Sequence, residues 1–304
     1  MKTLAALLFL VSAFQGSGGP GNGQNQGVPD DGGLAPIHAR THNLPSAHEI
    51  TLGEGTRVGI ISHSFGTETH RALYAGAAIF RVRGADPAPD HEAHQGFWMA
   101  LALREIAPAA EIYALDLLAD EESDRVRLIE KALDWAVEHR LDAITYCADG
   151  LSEKARKTLG PVLEKAVHAG VVVIFVDFPH PLNLLPAGFG VPPGAEEDRP
   201  DLKIFSYDCT TLLADQFLAP VGSDDDEISR NRSFLAPSSI GSLTAGLVAL
   251  LRSVDPETSP GRVKEILIET SRPLTVHGKV EPNVPDAKAA ISLITRKSPK
   301  KKCA

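Results

Sequence analysis

Short apolar runs recur along most of the chain and are separated by longer segments with helical periodicity. The clearest run, Val171–Val176, is apolar at every position, and Val58–Ile61 and Ile112–Leu115 are shorter apolar runs. Asp142–Tyr146 is a further strand-like segment, although it includes Asp142 and Thr145. Strands that are apolar on both faces are typical of a parallel sheet covered on both sides. The pattern therefore predicts a set of buried parallel strands.

The segments between and after these runs repeat apolar residues at helical spacing. The predicted helices are Gln95–Ile106, Ser123–His139, Glu153–Ala169, Ser238–Val254, Gly261–Thr270 and Asp286–Ile294. Strands that alternate with helices predict an α/β fold, with a mostly parallel sheet and helices on both faces. The segment 178–200 departs from this pattern because it is rich in proline and glycine, and we expect a long loop there.

The N-terminus has the features of a secretory signal peptide. Lys2 supplies a positive charge, Leu4–Val11 supplies a short apolar core, and Ala13 ends a small-residue motif suited to cleavage. We therefore expect a signal peptide over residues 1–13 and a secreted or periplasmic protein. No later segment reaches the roughly twenty continuous apolar residues that a membrane span needs, so we expect no span.

Composition divides the rest of the chain. Residues 14–50 include a Gly-, Asn- and Gln-rich stretch with no apolar residue to bury, and we expect a flexible linker there. One α/β domain is expected over residues 51–295, followed by a basic tail over residues 296–304. The formal net charge of −9 argues against a nucleic acid or an anionic membrane as the partner.

Three cysteines are present, at Cys147, Cys209 and Cys303. An odd number leaves at least one thiol outside any intramolecular disulfide. In one interpretation Cys147 pairs with Cys209, as an exported protein permits. In the other, these residues are buried thiols that act as small apolar groups.

Four segments carry motif-like patterns in a fixed order: Arg57–Phe65, His94–Ala100, Gly170–Pro179 and Phe234–Leu251. Their order and spacing resemble the signature blocks of the subtilase family, the subtilisin-like serine peptidases, over roughly Arg57–Ile294. The resemblance implies a three-layer subtilisin-like fold. It also implies serine endopeptidase activity through an Asp, a His, a Ser and an oxyanion-stabilising Asn.

The fourth block gives the best match. Within it, Ala245-Gly246 and the Ala-Leu-Leu sequence that follows resemble the family helix that carries the nucleophile, and this register puts Ser238 at the nucleophile position. The resemblance therefore implies that Ser238 is the nucleophile. A serine at a helix start also caps free backbone N–H groups without any catalytic role, and both interpretations stay open.

The second block lacks the catalytic histidine of the family. Alignment on Gly96 puts Gln95 at that position, and a neutral amide cannot act as a general base. His94, one residue earlier, is the candidate for a displaced base. His91 and His94 also suggest a metal site, but no third ligand is marked in the sequence, and we expect neither a metal nor another cofactor.

The two remaining blocks also depart from the family. The first ends in Ser62 and His63 where subtilases have the Asp that orients the histidine, and neither residue is a carboxylate. In the third block Pro179 stands at the position of the oxyanion Asn, and proline has no side-chain donor and no backbone N–H. Asn183, four residues later, would supply a donor only if the loop takes a different course.

Three hypotheses of function follow. The first is an exported pseudoprotease that keeps the subtilase fold and acts by binding a protein or peptide. The second is an active serine endopeptidase with a rearranged site, in which Ser238 is the nucleophile, His94 the base and an unidentified carboxylate the orienting group. The third is a generic exported α/β domain that binds a small ligand beyond the carboxyl ends of the strands.

Overall fold

Five parallel strands form the central sheet. They are β1 (Arg57–Ser62), β2 (Gly76–Arg81), β3 (Glu111–Leu118), β4 (Ala143–Cys147) and β5 (Val172–Val176). Their order is β2-β3-β1-β4-β5, and every neighbouring pair is parallel. The chain adds β2 and β3 on one side of β1 and then β4 and β5 on the other side. Because crossover connections between parallel strands are right-handed, this reversal of direction places the connecting helices on both faces of the sheet.

The computed structural model describes residues 42–63, 65–67, 71–82, 95–119, 121–147, 151–176, 178–184, 186–187, 204–205, 236–276 and 279–297. The helices in these ranges are α1 (Leu44–His48), α2 (Gln95–Ile106), α3 (Glu122–Glu138), α4 (Glu153–His168), α5 (Ala236–Val254), α6 (Pro260–Glu269) and α7 (Ala287–Lys297). None of these described helices has the length and apolar character needed to cross a membrane.

Smaller elements complete the described part of the chain. A short 3-10 helix spans Arg71–Leu73. The strands β6 (Pro186–Ala187) and β7 (Ile204–Phe205) pair in parallel. The strands β8 (Arg272–Val276) and β9 (Lys279–Val284) form an antiparallel pair before α7.

The sheet separates two apolar cores. Ile60 belongs to the core that β1 shares with α2, α5, α6 and α7, whereas Ile61 belongs to the core formed with α3 and α4. Consecutive strand residues point to opposite faces, so one apolar strand serves both cores. The three layers confirm the predicted α/β fold, with helices on both faces of a mostly parallel sheet.

The predicted elements are present, and some of their ends shift. Helix α2 has the predicted bounds, whereas α5 begins at Ala236, two residues before the predicted start at Ser238. The apolar pattern does not predict β2. That strand begins Gly76-Ala77-Ala78, which is weakly apolar, and its residues alternate between half-buried and exposed.

Residues 42–50 correct the expected boundary of the linker. Composition places this segment in the linker, but it forms α1 and packs into the core, where Leu44 and Ala47 are fully buried. The ring of His42 is also buried, and its Nδ1 lies 2.9 Å from the carbonyl oxygen of Pro285. The polar composition of the preceding stretch led to the assignment of Leu44 and Ala47 to the linker, although both residues belong to the core.

Two glycines let α5 lie close to its neighbours. A Cβ on Gly246 would lie 2.5 Å from the Cβ of Ile106 in α2. A Cβ on Gly241 would lie 2.5 Å from the hydroxyl oxygen of Thr145 in β4. Helix α5 therefore packs its backbone directly against α2 and against the sheet.

Candidate functional site

The carboxyl ends of three neighbouring strands form the floor of the candidate site. Ser62 lies opposite Asp116 in the β1–β3 register, and Ile79 lies opposite the same aspartate in the β2–β3 register. Two positions earlier, Ile60 and Ala114 point into the core beneath α2 and α5. Because side chains alternate along a strand, Ser62 and Asp116 point to that same face.

Gln95, the first residue of α2, contacts the end of β1. Ser62 is only 5% exposed, and its hydroxyl donates a hydrogen bond to Gln95 Oε1 at 3.3 Å. The backbone N–H of Gly96 donates to the carbonyl oxygen of His63 at 3.1 Å. A Cβ on Gly96 would lie 2.8 Å from the ring of Phe65, so the close approach of α2 to this segment requires glycine.

The structure thus brings Ser62 against Gln95. The His63 side chain is exposed. In a Ser-His-Asp site, the carboxylate holds the imidazole in place and stabilises its positive charge. A hydroxyl bonded to an amide does neither, and the pair has no group that gains or loses a proton near neutral pH.

The first turns of α5 lie over the carboxyl ends of β4 and β5. Gly241 approaches Thr145 in β4 and Val176 at the end of β5. Ser238 is three residues earlier in the same helix. The backbone of Ser238 therefore lies at the carboxyl end of the sheet, which is also where α2 begins.

The capping role expected for Ser238 needs correction. Helix α5 begins at Ala236, so Ser238 is its third residue. Side chains that cap a helix belong to the residue just before its first turn. The side chains of residues 236–239 lie outside what the structure describes, and the nucleophile role of Ser238 stays a prediction.

Several other predictions fall outside the described residues. They concern His91, His94 and Cys209, together with residues 1–41 and 298–304. The displaced base, the signal peptide and the basic tail therefore stay predictions. Cys147 ends β4, but its predicted partner is not described, so the two interpretations of this cysteine both stay open.

Asn183 does not serve the site as an oxyanion donor in this structure. Its Nδ2 donates to the carbonyl oxygens of Phe175 and Phe178, at 2.7 and 2.8 Å, and its Oδ1 accepts the N–H of Phe175 at 2.8 Å. The side chain is fully buried and binds the outer edge of β5. Pro179 is exposed beside it and offers no donor.

Two buried hydroxyls lie close to the sheet side of α5. Thr145 in β4 and Ser242 in α5 are both fully buried. Among the described residues, Thr145 Oγ1 and Ser242 Oγ make no hydrogen bond. The sequence gives no signal for this, because both residues look like ordinary small polar positions in apolar segments.

A largely buried ion pair lies at the opposite end of the sheet. Asp142, just before β4, accepts a hydrogen bond from the N–H of Arg57, and Arg252 Nη1 lies 3.9 Å from its Oδ1. Burial raises the pKa of Asp142, although the Arg57 N–H and the Arg252 charge act in the other direction. Burial likewise lowers the pKa of Arg252. These charges support the fold and not the candidate site.

The described residues contain no group of three or more His, Cys, Asp and Glu side chains that would hold a metal ion. A cleft of about 450 Å³ opens beside the start of β2, and its lining residues are Thr67, Arg71, Tyr74, Ala75, Gly76 and Ala77. This cleft does not include Ser62 or Gln95. It is a separate surface feature at the edge of the sheet.

Asp116 is the site residue that sequence reasoning missed. It is an acidic residue inside the otherwise apolar segment Ala114–Leu118. That isolation was the available signal, because a carboxylate in a buried strand is costly without a role. Its position beside Ser62 depends on the β1–β3 register, which local sequence does not reveal.

Comparisons with known proteins give a likeness of structure only. No protein-family model matches the chain, and no curated protein matches it by sequence. A lanthipeptide protease has a TM-score of 0.59 at 15% identity, covering 85% of this chain and 93% of its own. The serine protease MycP1, an essential component of the type VII (ESX-1) secretion system, has a TM-score of 0.54 at 17% identity, covering 87% and 90%.

A third structure, the PatG macrocyclase in complex with peptide, has a TM-score of 0.55 at 12% identity, covering 84% of this chain and 96% of its own. These neighbours are subtilisin-like serine proteases. The chain has a subtilisin-like fold. The fold expected from the four sequence blocks is therefore confirmed. A subtilisin-like fold by itself does not decide between catalysis and binding, since function depends on the site residues.

Proposed function

We propose that this chain is a subtilisin-like domain that binds a peptide or protein without cleaving it. The observation that supports this most directly is the hydrogen bond from Ser62 to Gln95. It joins the end of β1 to the start of α2, where the resemblance to subtilases calls for an Asp–His pair. The frame of the site is kept, while its proton-transferring groups are replaced.

The replacement removes the chemistry that activates a serine. A serine hydroxyl is a weak nucleophile unless a neighbouring base accepts its proton. The Gln95 amide accepts no proton, and the Ser62 hydroxyl supplies no negative charge to stabilise a protonated base. General-base catalysis typically contributes about 10²–10⁴-fold in rate, so a site with this pair is expected to hydrolyse peptides at a negligible rate.

The loss of the oxyanion donor supports the same proposal. Pro179 has no donor, and all three hydrogen bonds of the Asn183 side chain go to the backbone around β5. Removing one oxyanion donor typically lowers the rate by about 10²–10³-fold. Two independent parts of the catalytic apparatus are thus altered, which favours binding over turnover.

A peptide or protein is the proposed ligand, and the proposed location is secreted or periplasmic. The neighbour PatG is described in complex with peptide, and the neighbour MycP1 is named as a component of a secretion system. The N-terminal sequence of this chain, with Lys2 before the apolar residues Leu4–Val11, supports export.

The second candidate function is an active serine endopeptidase with a rearranged site. It is favoured by the position of Ser238 in the first turn of α5, over the carboxyl ends of the strands. In this alternative His94, immediately before Gln95, is the base. The third hypothesis, a generic exported domain that binds a small ligand beyond the carboxyl ends of the strands, stays open, since a subtilisin-like fold does not by itself identify a ligand.

A fluorophosphonate probe distinguishes the two candidates, because it modifies only an activated serine. We expect no labelling of the folded wild-type protein under conditions where an active subtilisin is labelled. Peptide mapping would locate any adduct, and Ser238→Ala is the matched control. Labelling at Ser238 that is lost in Ser238→Ala would overturn the binding proposal and establish the enzyme.

A double variant tests the interpretation of the Ser62–Gln95 pair by restoring a carboxylate and an imidazole at these two positions. Ser62→Asp combined with Gln95→His would place a carboxylate and an imidazole at the two ends of this contact. We expect fluorophosphonate labelling of Ser238 to rise in the double variant and not in Ser62→Asp alone, which still lacks a base at residue 95.

A further inference from the structure

The strand β2 ends one side of the central sheet and, among the described strands, pairs with β3 alone. The N–H of Ala75, just before β2, donates to the carbonyl oxygen of Ile112 at 2.8 Å. Backbone groups alternate in direction along a strand, so the odd-numbered residues of β2 also direct theirs to β3. The N–H and carbonyl groups of Gly76, Ala78 and Phe80 therefore face the outer edge. Backbone groups at such an edge are those to which an added strand binds.

The cleft of about 450 Å³ beside the start of β2 lies at this same edge. A volume in the range of about 300–1,000 Å³ is typical of ligand pockets. Of the described residues that line the cleft, Arg71 is the one with a charge. It is exposed and makes no hydrogen bond or ion pair with a described residue. The Tyr74 hydroxyl donates to the carbonyl oxygen of Phe65 at 2.8 Å, which fixes this wall of the cleft.

An exposed row of β2 side chains extends from the cleft. Ala77, which lines the cleft, lies on the same face of the strand as Ile79 and Arg81, and all three are exposed. Ile79 has 57% of its surface exposed, an unusual fraction for a large apolar residue. Arg81, like Arg71, makes no hydrogen bond or ion pair with a described residue. The surface therefore has a guanidinium group at each end and apolar side chains between them.

This arrangement of charge indicates an acidic ligand, although the protein as a whole has a formal net charge of −9. Guanidinium groups bind carboxylates through paired hydrogen bonds. The distance along β2 from Ala77 to Arg81 is about 13 Å, which is four residues of an extended chain. A peptide strand presents every second side chain on one face, so an acid, an apolar residue and a second acid at alternate positions would match this surface.

Asp116 supports an apolar residue at the middle position. It lies beside Ile79 in the β2–β3 register, about 5 Å further into the sheet. An acidic residue of the ligand opposite Ile79 would approach this carboxyl group, whereas acids at the two ends of the row would lie against the arginines. The preferred order along the ligand is therefore acid, apolar, acid.

We propose that the outer edge of β2 binds an extended acidic segment of a partner protein, in which two acidic residues four positions apart flank an apolar residue. The backbone of this segment pairs with β2, and its carboxylates bind Arg71 and Arg81. This surface is separate from the Ser62–Gln95 contact. The inference therefore does not depend on whether the chain cleaves peptides.

Isothermal titration calorimetry of the purified protein tests the inference with capped nonapeptides. The test peptide has two glutamates four positions apart, a leucine midway and threonine elsewhere. We expect it to bind on the order of tenfold more tightly than the analogue with glutamine in place of glutamate. The affinity should fall as the salt concentration rises, because the contacts lie at the surface.

Three variants assign the preference to its residues. Arg71→Gln and Arg81→Gln should each weaken binding of the glutamate peptide on the order of tenfold and leave the glutamine peptide unchanged. Lys131→Gln is the matched control, because Lys131 is an exposed cation of α3, which packs on the other face of the sheet. It should leave both affinities unchanged. Circular dichroism of each variant establishes that a lost affinity is not a lost fold.

Backbone methylation of the peptide tests strand addition without any change to the protein. In an added strand, alternate N–H groups point to β2 and the others point away. N-methylation of one alternate set should therefore abolish binding, and N-methylation of the other set should leave most of it. Equal effects of the two sets would overturn the proposed pairing with β2.

The remaining outcomes also decide the inference. It would be overturned if the folded wild-type protein bound the glutamate peptide no more tightly than about 1 mM, or if binding survived in both arginine variants. A dimer that forms at high protein concentration and excludes the peptide would assign the edge to a second copy of this chain. None of these results bears on the proposed function, which the fluorophosphonate experiment tests at Ser238.

Discussion

A Cβ placed on Gly241 would stand 2.5 Å from the hydroxyl oxygen of Thr145 and 3.0 Å from a methyl group of Val176. The close contact of α5 with the sheet thus depends on the absence of one side chain. The atoms that a new methyl group would meet belong to β-branched residues of the neighbouring strands β4 and β5, which cannot move without displacing the sheet.

Gly241→Ala should therefore destabilise the domain by about 1–3 kcal/mol, the usual range for overpacking a filled core. Urea unfolding followed by circular dichroism measures the change. Gly261→Ala is the matched control, since a Cβ on Gly261 in α6 would meet no atom within 4 Å. That variant should be neutral or stabilising by up to about 1 kcal/mol, because alanine favours a helix. Equal effects of the two variants would contradict the packing argument.

Removal of the Thr145 hydroxyl should not destabilise the domain. It is buried and makes no hydrogen bond among the described residues. Thr145→Val replaces it with a methyl group of similar shape, which relieves the cost of an unsatisfied buried group, about 1–3 kcal/mol. We expect the free energy of unfolding to stay constant or rise. A loss of more than about 1 kcal/mol would mean that the hydroxyl has a partner in solution, such as a bound water.

The side chain of Asn183 should contribute more to the stability of the domain than the Thr145 hydroxyl does, because it makes three buried hydrogen bonds. In Asn183→Asp the two donated hydrogen bonds to Phe175 and Phe178 are lost, and a carboxyl group faces their carbonyl oxygens. We expect a loss of at least about 3 kcal/mol at neutral pH, since a buried charge without donors is costly. The loss should shrink in acid, where the new carboxyl group is protonated. Leu182→Ala, at a partly exposed neighbour in the same loop, should cost under about 1 kcal/mol.

The stability of the domain should depend on pH through Asp142. Burial raises the pKa of this carboxyl, so the folded protein keeps its proton at pH values where the unfolded chain has lost it. The contribution of Asp142 to the free energy of unfolding therefore falls as pH rises from about 4, the ordinary carboxyl pKa, to the raised folded value. Asp142→Asn removes this titration.

The unfolding free energy of Asp142→Asn minus that of the wild type should therefore rise with pH across that window and then become constant. Urea unfolding at several pH values from acid to neutral gives this difference. The opposite slope would mean that the attraction of Arg252 outweighs burial, which the 3.9 Å separation of the two groups does not favour.

The segment 42–50 offers the clearest test of the domain boundary. Leu44 is fully buried in the core, whereas Ile50 at the end of the same segment is 44% exposed. Leu44→Ala should lower the free energy of unfolding by about 2–5 kcal/mol, the usual cost of a large-to-small change in a core. Ile50→Ala should cost under about 1 kcal/mol. If neither change altered the free energy of unfolding, the segment 42–50 would belong to the linker and not to the domain.

The sequence predicts most of the strands and helices of the fold. Strand β5 and helix α2 are recognisable because their signals are local: an unbroken β-branched run and an apolar stripe at helical spacing. The replacement of the catalytic histidine by Gln95 is also local, since Gly96 fixes the register next to it. In the structure the Gln95 side chain contacts the end of β1 through its hydrogen bond with Ser62.

The rest depends on contacts between distant parts of the chain. Asp116 joins the site only through the register between β1 and β3, and nothing in its own neighbourhood marks that pairing. Leu44 is buried because the segment returns to the core near Pro285, although the preceding residues read as a linker. The role of Asn183 depends on how its loop folds back along β5, which composition does not reveal.

The amide of Asn183 has a consequence beyond the stability of its loop. At the β5 end of the sheet it satisfies the N–H and the carbonyl oxygen of Phe175, two groups that a further strand would otherwise bind. The N–H of Leu184 likewise occupies the carbonyl oxygen of Val173. A sheet margin closed at these groups leaves another molecule less backbone to pair with, so the wholly buried strand β5 is protected from edge-to-edge aggregation.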